Sequence, residues 1–221
     1  MKRFLFAIVI AIIVALLGWY VFMPWITKQF GGEPLKPNPN QNLANKDAYK
    51  VATVLDLPKP LAPFKLQDSS KQPYSNESLL GHWTLLFFGY AHCPGICPKT
   101  LAILSEVFKN AVPSRLPAST KFVFVSLNPK TDTPDVLKAF LSRFHPDFIG
   151  LTGEPEAIQA LAKACRVYSW TAEEEKDTQG QKRIDHTASI LLINPRGEMA
   201  ALFTPPHEAT ALINDLVLLL N

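Results

Sequence analysis

The sequence predicts an α/β sandwich with a mixed β-sheet, preceded by a single N-terminal transmembrane helix. Three observations predict this class: an uncharged apolar stretch near the N-terminus, short apolar runs that alternate with helical patterns, and a final pair of apolar runs joined by a turn. Strands that alternate with helices are typical of parallel pairing, whereas two strands joined by a tight turn pair antiparallel.

The apolar stretch covers residues 4–27 and contains no charged side chain. A helix of about 20 residues already spans the hydrocarbon core of a bilayer. The stretch is longer than the apolar core of a cleaved signal peptide, and no small-residue cleavage site follows it, so we interpret it as an uncleaved anchor. Lys2 and Arg3 precede it and Lys28 follows, which by the positive-inside rule favours an exported C-terminal domain.

The chain therefore divides into a membrane anchor (1–28), a tether rich in Pro, Gly and Asn (29–50) and a folded domain (51–221). No Arg- and Ser-rich presequence stands before the anchor, which favours a bacterial inner membrane over a mitochondrial one. The expected location is thus a single-pass inner-membrane protein with its C-terminal domain in the periplasm.

Charge and cysteine content exclude several function classes. The chain has 22 basic and 19 acidic residues, and three of the basic residues flank the anchor, so the remainder carries 19 of each sign. A nucleic-acid-binding domain normally has a basic surplus, which is absent here. Three cysteines are too few for a disulfide-stapled scaffold, and a single apolar span excludes a polytopic transporter.

The elements of the folded domain follow from hydrophobic periodicity. Residues 83–90 (WTLLFFGY) and 121–127 (KFVFVSL) have the composition of strands that are buried on both faces. The remaining predicted elements are helices at 98–110, 133–144, 155–164 and 208–220, and strands at 148–151, 189–193 and 199–203, the last two forming a hairpin at one edge of the sheet. Thr133 followed by Pro134 is typical of a helix start. Residues 171–183 are predicted to be an exposed excursion.

Two cysteines, Cys93 and Cys97, stand where the first strand meets the next helix. Ligands bind at this end of a strand in open α/β sheets, and the amides that open a helix stabilise a thiolate. A thiolate here is either a redox nucleophile or a ligand for a soft metal. The spacing of four allows both sulfurs to face one metal ion, and it also allows a disulfide.

A metal would need a further ligand, and the chain offers His82, His92, His145, His186 and His207. His186 precedes the predicted strand at 189–193, and its neighbour Asp185 could orient the ring. From the pattern alone, a ligand and an ordinary structural histidine are equally good interpretations of His186.

Three motifs resemble the Sco/SenC family of copper proteins: FGYAHCPGICP (88–98), FVSLNP (124–129) followed by DTP (132–134), and DHT (185–187). The resemblance implies a thioredoxin-like fold, tethered to a membrane, that binds one copper ion as Cu(I) or Cu(II). The copper ligands it implies are Cys93, Cys97 and His186. Gly95 and Asn128 depart from the family pattern, which commonly has aspartate at both places.

The resemblance also implies a function: a copper chaperone that helps to assemble the binuclear copper centre of cytochrome c oxidase. The expected partners are the copper-bearing oxidase subunit, other copper chaperones and the membrane, with no nucleic acid. The alternative is a thiol-disulfide reductase in which Cys93 and Cys97 are catalytic, so a metallochaperone is favoured over an enzyme without excluding one. A peroxidase is a weaker third interpretation, because no arginine accompanies the first cysteine. Cys165, in an Ala- and Leu-rich helical stretch, is predicted to be a small buried hydrophobe.

Overall fold

The computed structural model describes residues 49–112, 114–176, 180 and 182–220. The predicted anchor (1–28) and residues 29–48 of the predicted tether lie outside the described residues. Within the described part of the chain, no helix combines the length and the hydrophobicity that a membrane span needs.

The described elements comprise ten strands and four α-helices. In chain order the strands are β1 (Ala52–Pro60), β2 (Lys65–Asp68), β3 (Pro73–Ser75), β4 (Thr84–Gly89), β5 (Lys121–Ser126), β6 (Ile149–Thr152), β7 (Ser169–Lys176), β8 (Lys182–His186), β9 (Ile190–Ile193) and β10 (Glu198–Phe203). The helices are α1 (Ile96–Ala111), α2 (Pro134–Leu141), α3 (Pro155–Ala164) and α4 (Ala209–Leu220).

Eight of these strands form one mixed sheet in the order β1-β10-β9-β4-β5-β6-β2-β3. The central strands β4, β5 and β6 run parallel, and β9 pairs antiparallel with β4. The predicted α/β sandwich with a mixed sheet is therefore observed. The remaining strands, β7 and β8, form a separate two-stranded sheet.

The central strands are apolar throughout because both of their faces are covered. In β4, Leu85 and Phe87 face a core that includes residues of α1, α2 and α4. Leu86 and Phe88 face the opposite core, which includes residues of α3. Every residue of β4 is buried, which explains why its sequence shows no alternation of polar and apolar positions.

One prediction about the sheet is wrong: the β9–β10 hairpin does not lie at an edge, because β1 pairs with β10 and covers it. The exposed excursion predicted at 171–183 lies outside the main sheet and contains most of the β7–β8 hairpin, whose strands the sequence did not predict. β1 carries two prolines and β7 carries charged residues, so neither strand has the regular apolar alternation from which its pairing could be predicted.

The segment that leads into β1 is held by a carboxylate from the other end of the chain. Asp215 on α4 is buried and accepts hydrogen bonds from the backbone N–H groups of Lys50, Val51 and Ala52, at 2.8–3.1 Å. These bonds fix residues 50–52 to α4.

Candidate metal centre

The two cysteines lie on the connection between β4 and α1. We call residues 90–95 of this connection the thiol loop. It begins with a turn in which the Cys93 N–H donates to the Tyr90 carbonyl at 3.2 Å. Gly95 is the N-cap of α1, and Cys97 lies in the first turn of that helix. Free backbone N–H groups at a helix start favour negative charge, so the start of α1 favours a thiolate on a cysteine beside it.

His186 is the last residue of β8 and comes three residues before Ser189, which precedes β9. Because β9 pairs directly with β4, this part of the chain returns beside the strand that leads to the thiol loop. The imidazole packs edge-on against Phe87 and Tyr90, with ring centroids 6.0 and 6.4 Å away. The Tyr90 hydroxyl also accepts a hydrogen bond from the Ile184 N–H at 3.3 Å, which ties β8 to the thiol loop.

The structure brings the three predicted ligands together. One ligand atom from each of Cys93, Cys97 and His186 lies within 4.8 Å of the others. The Cys97 Sγ and the His186 Nε2 are 3.3 Å apart. The His186 Nδ1 lies 3.0 Å from the Thr187 carbonyl oxygen, which can only accept, so Nδ1 carries the proton and Nε2 presents its lone pair to the sulfurs.

These atoms fit a single metal ion. Metal–thiolate and metal–imidazole bonds are about 2.3 and 2.0 Å long, so two ligand atoms of one ion lie less than about 4.6 Å apart. The three atoms of the cluster lie within 4.8 Å of one another, which is close to that distance. All three cysteines of the chain are free thiols. Two thiolates and one imidazole form a soft donor set, which suits Cu(I) better than a hard cation such as Mg²⁺ or Ca²⁺.

The two thiols differ in their acidity. A hydrogen bond from the Cys97 thiol, with further hydrogen bonds from the backbone of Cys97 and Gly95, lowers the pKa of Cys93 to about 4. Burial and the neighbouring Cys93 raise the pKa of Cys97 well above its usual range. At neutral pH the pair therefore holds one thiolate on Cys93 and one proton on Cys97.

The site opens to solvent on one side. A cavity of about 340 Å³ is lined by residues of the thiol loop and of β8, together with Ile96 and Trp170. Cys97 is fully buried and Cys93 is 9% exposed, whereas Ile96 and Trp170 at the cavity are 36% and 59% exposed. A partner can therefore approach Cys93 first, while Cys97 stays behind it.

The sequence matches known proteins over most of the folded domain. The SCO1/SenC family profile matches residues 56–221. The chain belongs to the SCO1/SenC family.

Two curated relatives indicate how much of this SCO1/SenC chain is shared. A protein of Stutzerimonas stutzeri named for copper binding is 36% identical over 167 residues, which are 73% of this chain and 78% of that protein. The mitochondrial protein SCO2 of Saccharomyces cerevisiae is 38% identical over 136 residues, 62% of this chain but only 44% of that protein. The chain thus spans less than half of that mitochondrial relative.

A solved structure supports the fold. The crystal structure of Arabidopsis thaliana ScoI with copper bound is 32% identical, with a TM-score of 0.65, and the match covers 71% of this chain and 95% of that one. The thioredoxin-like fold expected for a SCO1/SenC protein is therefore observed.

Other candidate residues of this SCO1/SenC chain lie outside the cluster. The His145 ring stacks on Phe148, and the His207 Nε2 bonds the Ala188 carbonyl at 2.9 Å. Cys165 is 3% exposed, and burial raises its pKa to about 12, as fits a small buried hydrophobe. His82 is 9% exposed and belongs to no metal-ligand group of the described residues.

The prediction that Asp185 orients His186 is wrong. The Asp185 carboxylate pairs with Arg183, two residues earlier on the same strand, at 2.8 Å. The orientation comes instead from the Thr187 carbonyl. Alternation along a strand places residues 183 and 185 on one face and residue 186 on the other.

Sequence reasoning assigned no role to Gly89, the last residue of β4. A Cβ at this position would lie 2.8 Å from the Cys97 Sγ and 2.9 Å from the Phe124 Cε2. Cβ atoms essentially never approach other atoms this closely, so only glycine leaves room for the sulfur. A glycine at a strand end before a cysteine motif is the only signal that the sequence offers for this role.

The two departures from the family pattern are accommodated in different ways. A Cβ at Gly95 would meet nothing within 4 Å, so the position has space for a larger side chain. Asn128 contributes to its turn through the backbone, since its carbonyl accepts from the N–H groups of Thr131 and Asp132.

The difference in acidity predicts the order in which the cysteines are alkylated. At pH 6 we expect iodoacetamide to modify Cys93 in the native, metal-free protein well before Cys97 or Cys165. A thiol of ordinary pKa is only about 0.3% thiolate at this pH, whereas a pKa of about 4 leaves Cys93 almost fully ionised. Because the pKa is lowered, the reaction is lost only as the pH falls through about 4.

Peptide mass spectrometry after timed quenching measures this order. In denaturant the three cysteines lose their environments, and we expect similar alkylation rates. Modification of Cys97 before Cys93 in the native protein would contradict the assignment.

Proposed function

We propose that this protein is a membrane-anchored copper chaperone that helps to assemble the binuclear copper centre of cytochrome c oxidase. The observation that carries the proposal is the cluster of two cysteine sulfurs and one imidazole nitrogen within 4.8 Å. In this proposal Cys93, Cys97 and His186 hold one copper ion, as Cu(I) or Cu(II). Membership of the SCO1/SenC family and the copper-bound relative support the choice of copper.

A site with three ligands suits the transfer of copper to another protein. Cu(I) is stable with two or three soft ligands, so a thiolate of the acceptor can bind the ion before a donor ligand leaves. Cys93 lines the open cavity and is the sulfur that an acceptor reaches first. Cys97 is buried behind it and keeps hold of the ion until the acceptor's ligands have bound.

Copper transfer tests the proposal directly. The full-length protein, solubilised in detergent and loaded with Cu(I) under anaerobic conditions, is mixed with the metal-free soluble domain of the copper-bearing oxidase subunit. We expect copper to appear on the re-isolated acceptor faster than from a Cu(I)–glutathione complex at the same copper concentration. The Cys97→Ser variant, which loses one of two thiolate ligands, should load and deliver little copper.

Copper that stays on the wild-type donor, or that reaches the acceptor no faster than from glutathione, would count against this function. The amount of copper on each protein is measured by mass spectrometry of the metal after the two are separated.

We also propose that the domain lies in the periplasm and is held at the bacterial inner membrane by residues 1–28. The uncharged stretch at 4–27 and the basic residues Lys2 and Arg3 before it support this arrangement. Alkaline phosphatase, which is active only after export, is fused after Asn221 and expressed in bacteria. We expect activity in the membrane fraction, and an inactive fusion would contradict the orientation.

Thiol-disulfide reduction is the second candidate, favoured by the thiolate of Cys93 beside the protonated Cys97. The Cys93 thiolate would attack a disulfide of the partner, forming a mixed disulfide and releasing one partner thiolate. Cys97, giving up its proton, would then displace the second partner sulfur, so that the partner gains two electrons and a Cys93–Cys97 disulfide forms. This chemistry needs no His186, and a His186→Ala variant that reduces a peptide disulfide at the wild-type rate would favour it over copper delivery.

A further inference from the structure

One buried acidic residue next to the thiol loop has no part in the ligand cluster. Asp132 is 0% exposed and lies between β5 and α2, immediately before Thr133, the N-cap of α2. A buried carboxylate is costly unless hydrogen bonds compensate for the water that it loses. The donors that surround Asp132 therefore indicate which part of the structure it stabilises.

The Asp132 carboxylate connects two loops. Its Oδ2 accepts hydrogen bonds from the Ala91 N–H at 2.9 Å and from the Ser126 hydroxyl at 2.7 Å. Its Oδ1 accepts from the Thr131 hydroxyl at 3.3 Å and lies 3.7 Å from the His92 Nδ1. Ser126 and Thr131 belong to the same part of the chain as Asp132, whereas Ala91 and His92 belong to the thiol loop.

The contact with Ala91 is made inside the turn that carries Cys93. In this turn the Cys93 N–H donates to the Tyr90 carbonyl, and Ala91 and His92 are the residues between them. The acceptor of the Ala91 N–H is the Asp132 carboxylate, which lies outside the turn. Without the carboxylate, this partly buried N–H would lose its acceptor.

We propose that Asp132 is a positioning residue for the metal centre: its buried carboxylate holds the thiol loop so that the Cys93 sulfur stays within reach of Cys97 and His186. The inference rests on the proposed copper-binding function, because it assigns Asp132 to that same site. Asp132 touches no ligand atom and acts through the backbone of Ala91. Such outer contacts commonly change metal affinity by about 10- to 100-fold when they are removed.

Asp215 provides a matched control. It too is a buried aspartate whose carboxylate accepts backbone N–H groups, but those belong to residues 50–52 at the start of the domain. Asp215→Ala should destabilise the protein through the same kind of loss as Asp132→Ala. It leaves the thiol loop untouched, so a general loss of stability can be separated from a change at the site.

The experiment uses the full-length protein with copper itself as the probe. For Asp132→Ala we expect about 10- to 100-fold weaker Cu(I) binding in competition with a chelator, and a shifted thiolate-to-copper absorption band in the Cu(II) form. For Asp132→Asn we expect wild-type affinity within about threefold and the wild-type band, since its amide oxygen can accept from Ala91 while its NH₂ faces the Thr131 hydroxyl. For Asp215→Ala we expect both properties to match the wild type.

The assignment is overturned if Asp132→Ala binds copper with the wild-type affinity and band, or if Asp215→Ala weakens binding to the same extent. If Asp132→Ala does not fold, Asp132→Ser replaces it in the same comparison, because the serine hydroxyl is one bond shorter and does not reach the Ala91 N–H.

A measurement without metal separates this inference from the proposed function. In the metal-free protein we expect hydrogen exchange in the peptide covering residues 90–97 to be at least about tenfold faster in Asp132→Ala than in Asp215→Ala. If the wild type binds no copper but this difference is found, the proposed function fails and the positioning role stands. If the wild type binds copper and the exchange rates are equal, the positioning role fails.

Discussion

Replacing His186 with alanine is expected to weaken Cu(I) binding by at least about 100-fold, because the loss of a ligand exceeds the 10- to 100-fold effect of losing an outer contact. The imidazole Nε2 is the only nitrogen in the cluster and lies 3.3 Å from the Cys97 sulfur. Its removal leaves a two-sulfur site that binds more weakly and has a different geometry. Competition with a Cu(I) chelator under anaerobic conditions measures the change.

His145→Ala is the matched control for this variant. His145 is also partly buried among aromatic rings, but it packs on Phe108 and Phe148 and belongs to no ligand cluster of the described residues. We expect its copper affinity to equal that of the wild type. Equal copper affinities for His186→Ala and the wild type would show that His186 is not a ligand and that the two cysteines alone bind the ion.

Replacing Gly89 with alanine is expected to disrupt the site without changing any ligand. The added methyl group would lie 2.8 Å from the Cys97 Sγ and 2.9–3.0 Å from two ring atoms of Phe124. Cys97 and Phe124 are both fully buried, so neither can move away freely. Overpacking of this kind costs about 1–3 kcal/mol of the free energy of unfolding. Displacement of the sulfur should weaken copper binding by about 10- to 100-fold, as loss of an outer contact does.

Gly150→Ala separates these two effects. A methyl group there would lie 2.8 Å from the Leu137 Cβ and 2.9 Å from the Leu141 Cδ1, which is equally crowded but belongs to the packing of α2 on β6. We expect a similar loss of stability in denaturant unfolding and no loss of copper affinity. If Gly89→Ala and Gly150→Ala both bind copper as tightly as the wild type, the close approach of Gly89 to the Cys97 Sγ does not determine the position of that sulfur.

The elements that the sequence predicted well are those whose own residues determine their environment. The strand at 84–89 and the helix at 155–164 lie where periodicity places them. The strand is buried on both faces and is a continuous apolar run, whereas the helix is buried on one face and has apolar residues at helical spacing. Thr133 caps its helix as predicted, since its side chain accepts from the Val136 N–H at 3.3 Å. The three side chains that cluster could be predicted from the thiol motif and the family resemblance.

The features that could not be predicted depend on contacts between distant parts of the chain. The role proposed for Asp132 depends on the hydrogen bond that it accepts from the Ala91 N–H, 41 residues away. The residues next to Asp132 in the sequence indicate only a turn and a helix start. The β7–β8 hairpin has a register shift between Thr171 and Lys176, so no regular alternation marks it. Gly89 matters because of a sulfur and an aromatic ring that approach it only in the folded state.

The distance along the chain between the ligands has a consequence for unfolding. Cys97 and His186 are 89 residues apart, so a copper ion held by both closes a large loop and cross-links α1 to the end of β8. An ion that binds only the folded state stabilises it by about 4 kcal/mol when its free concentration is a thousand times the dissociation constant. A bound copper ion would then also be a removable cross-link, and we expect the domain to resist heat and proteolysis better with copper than without it.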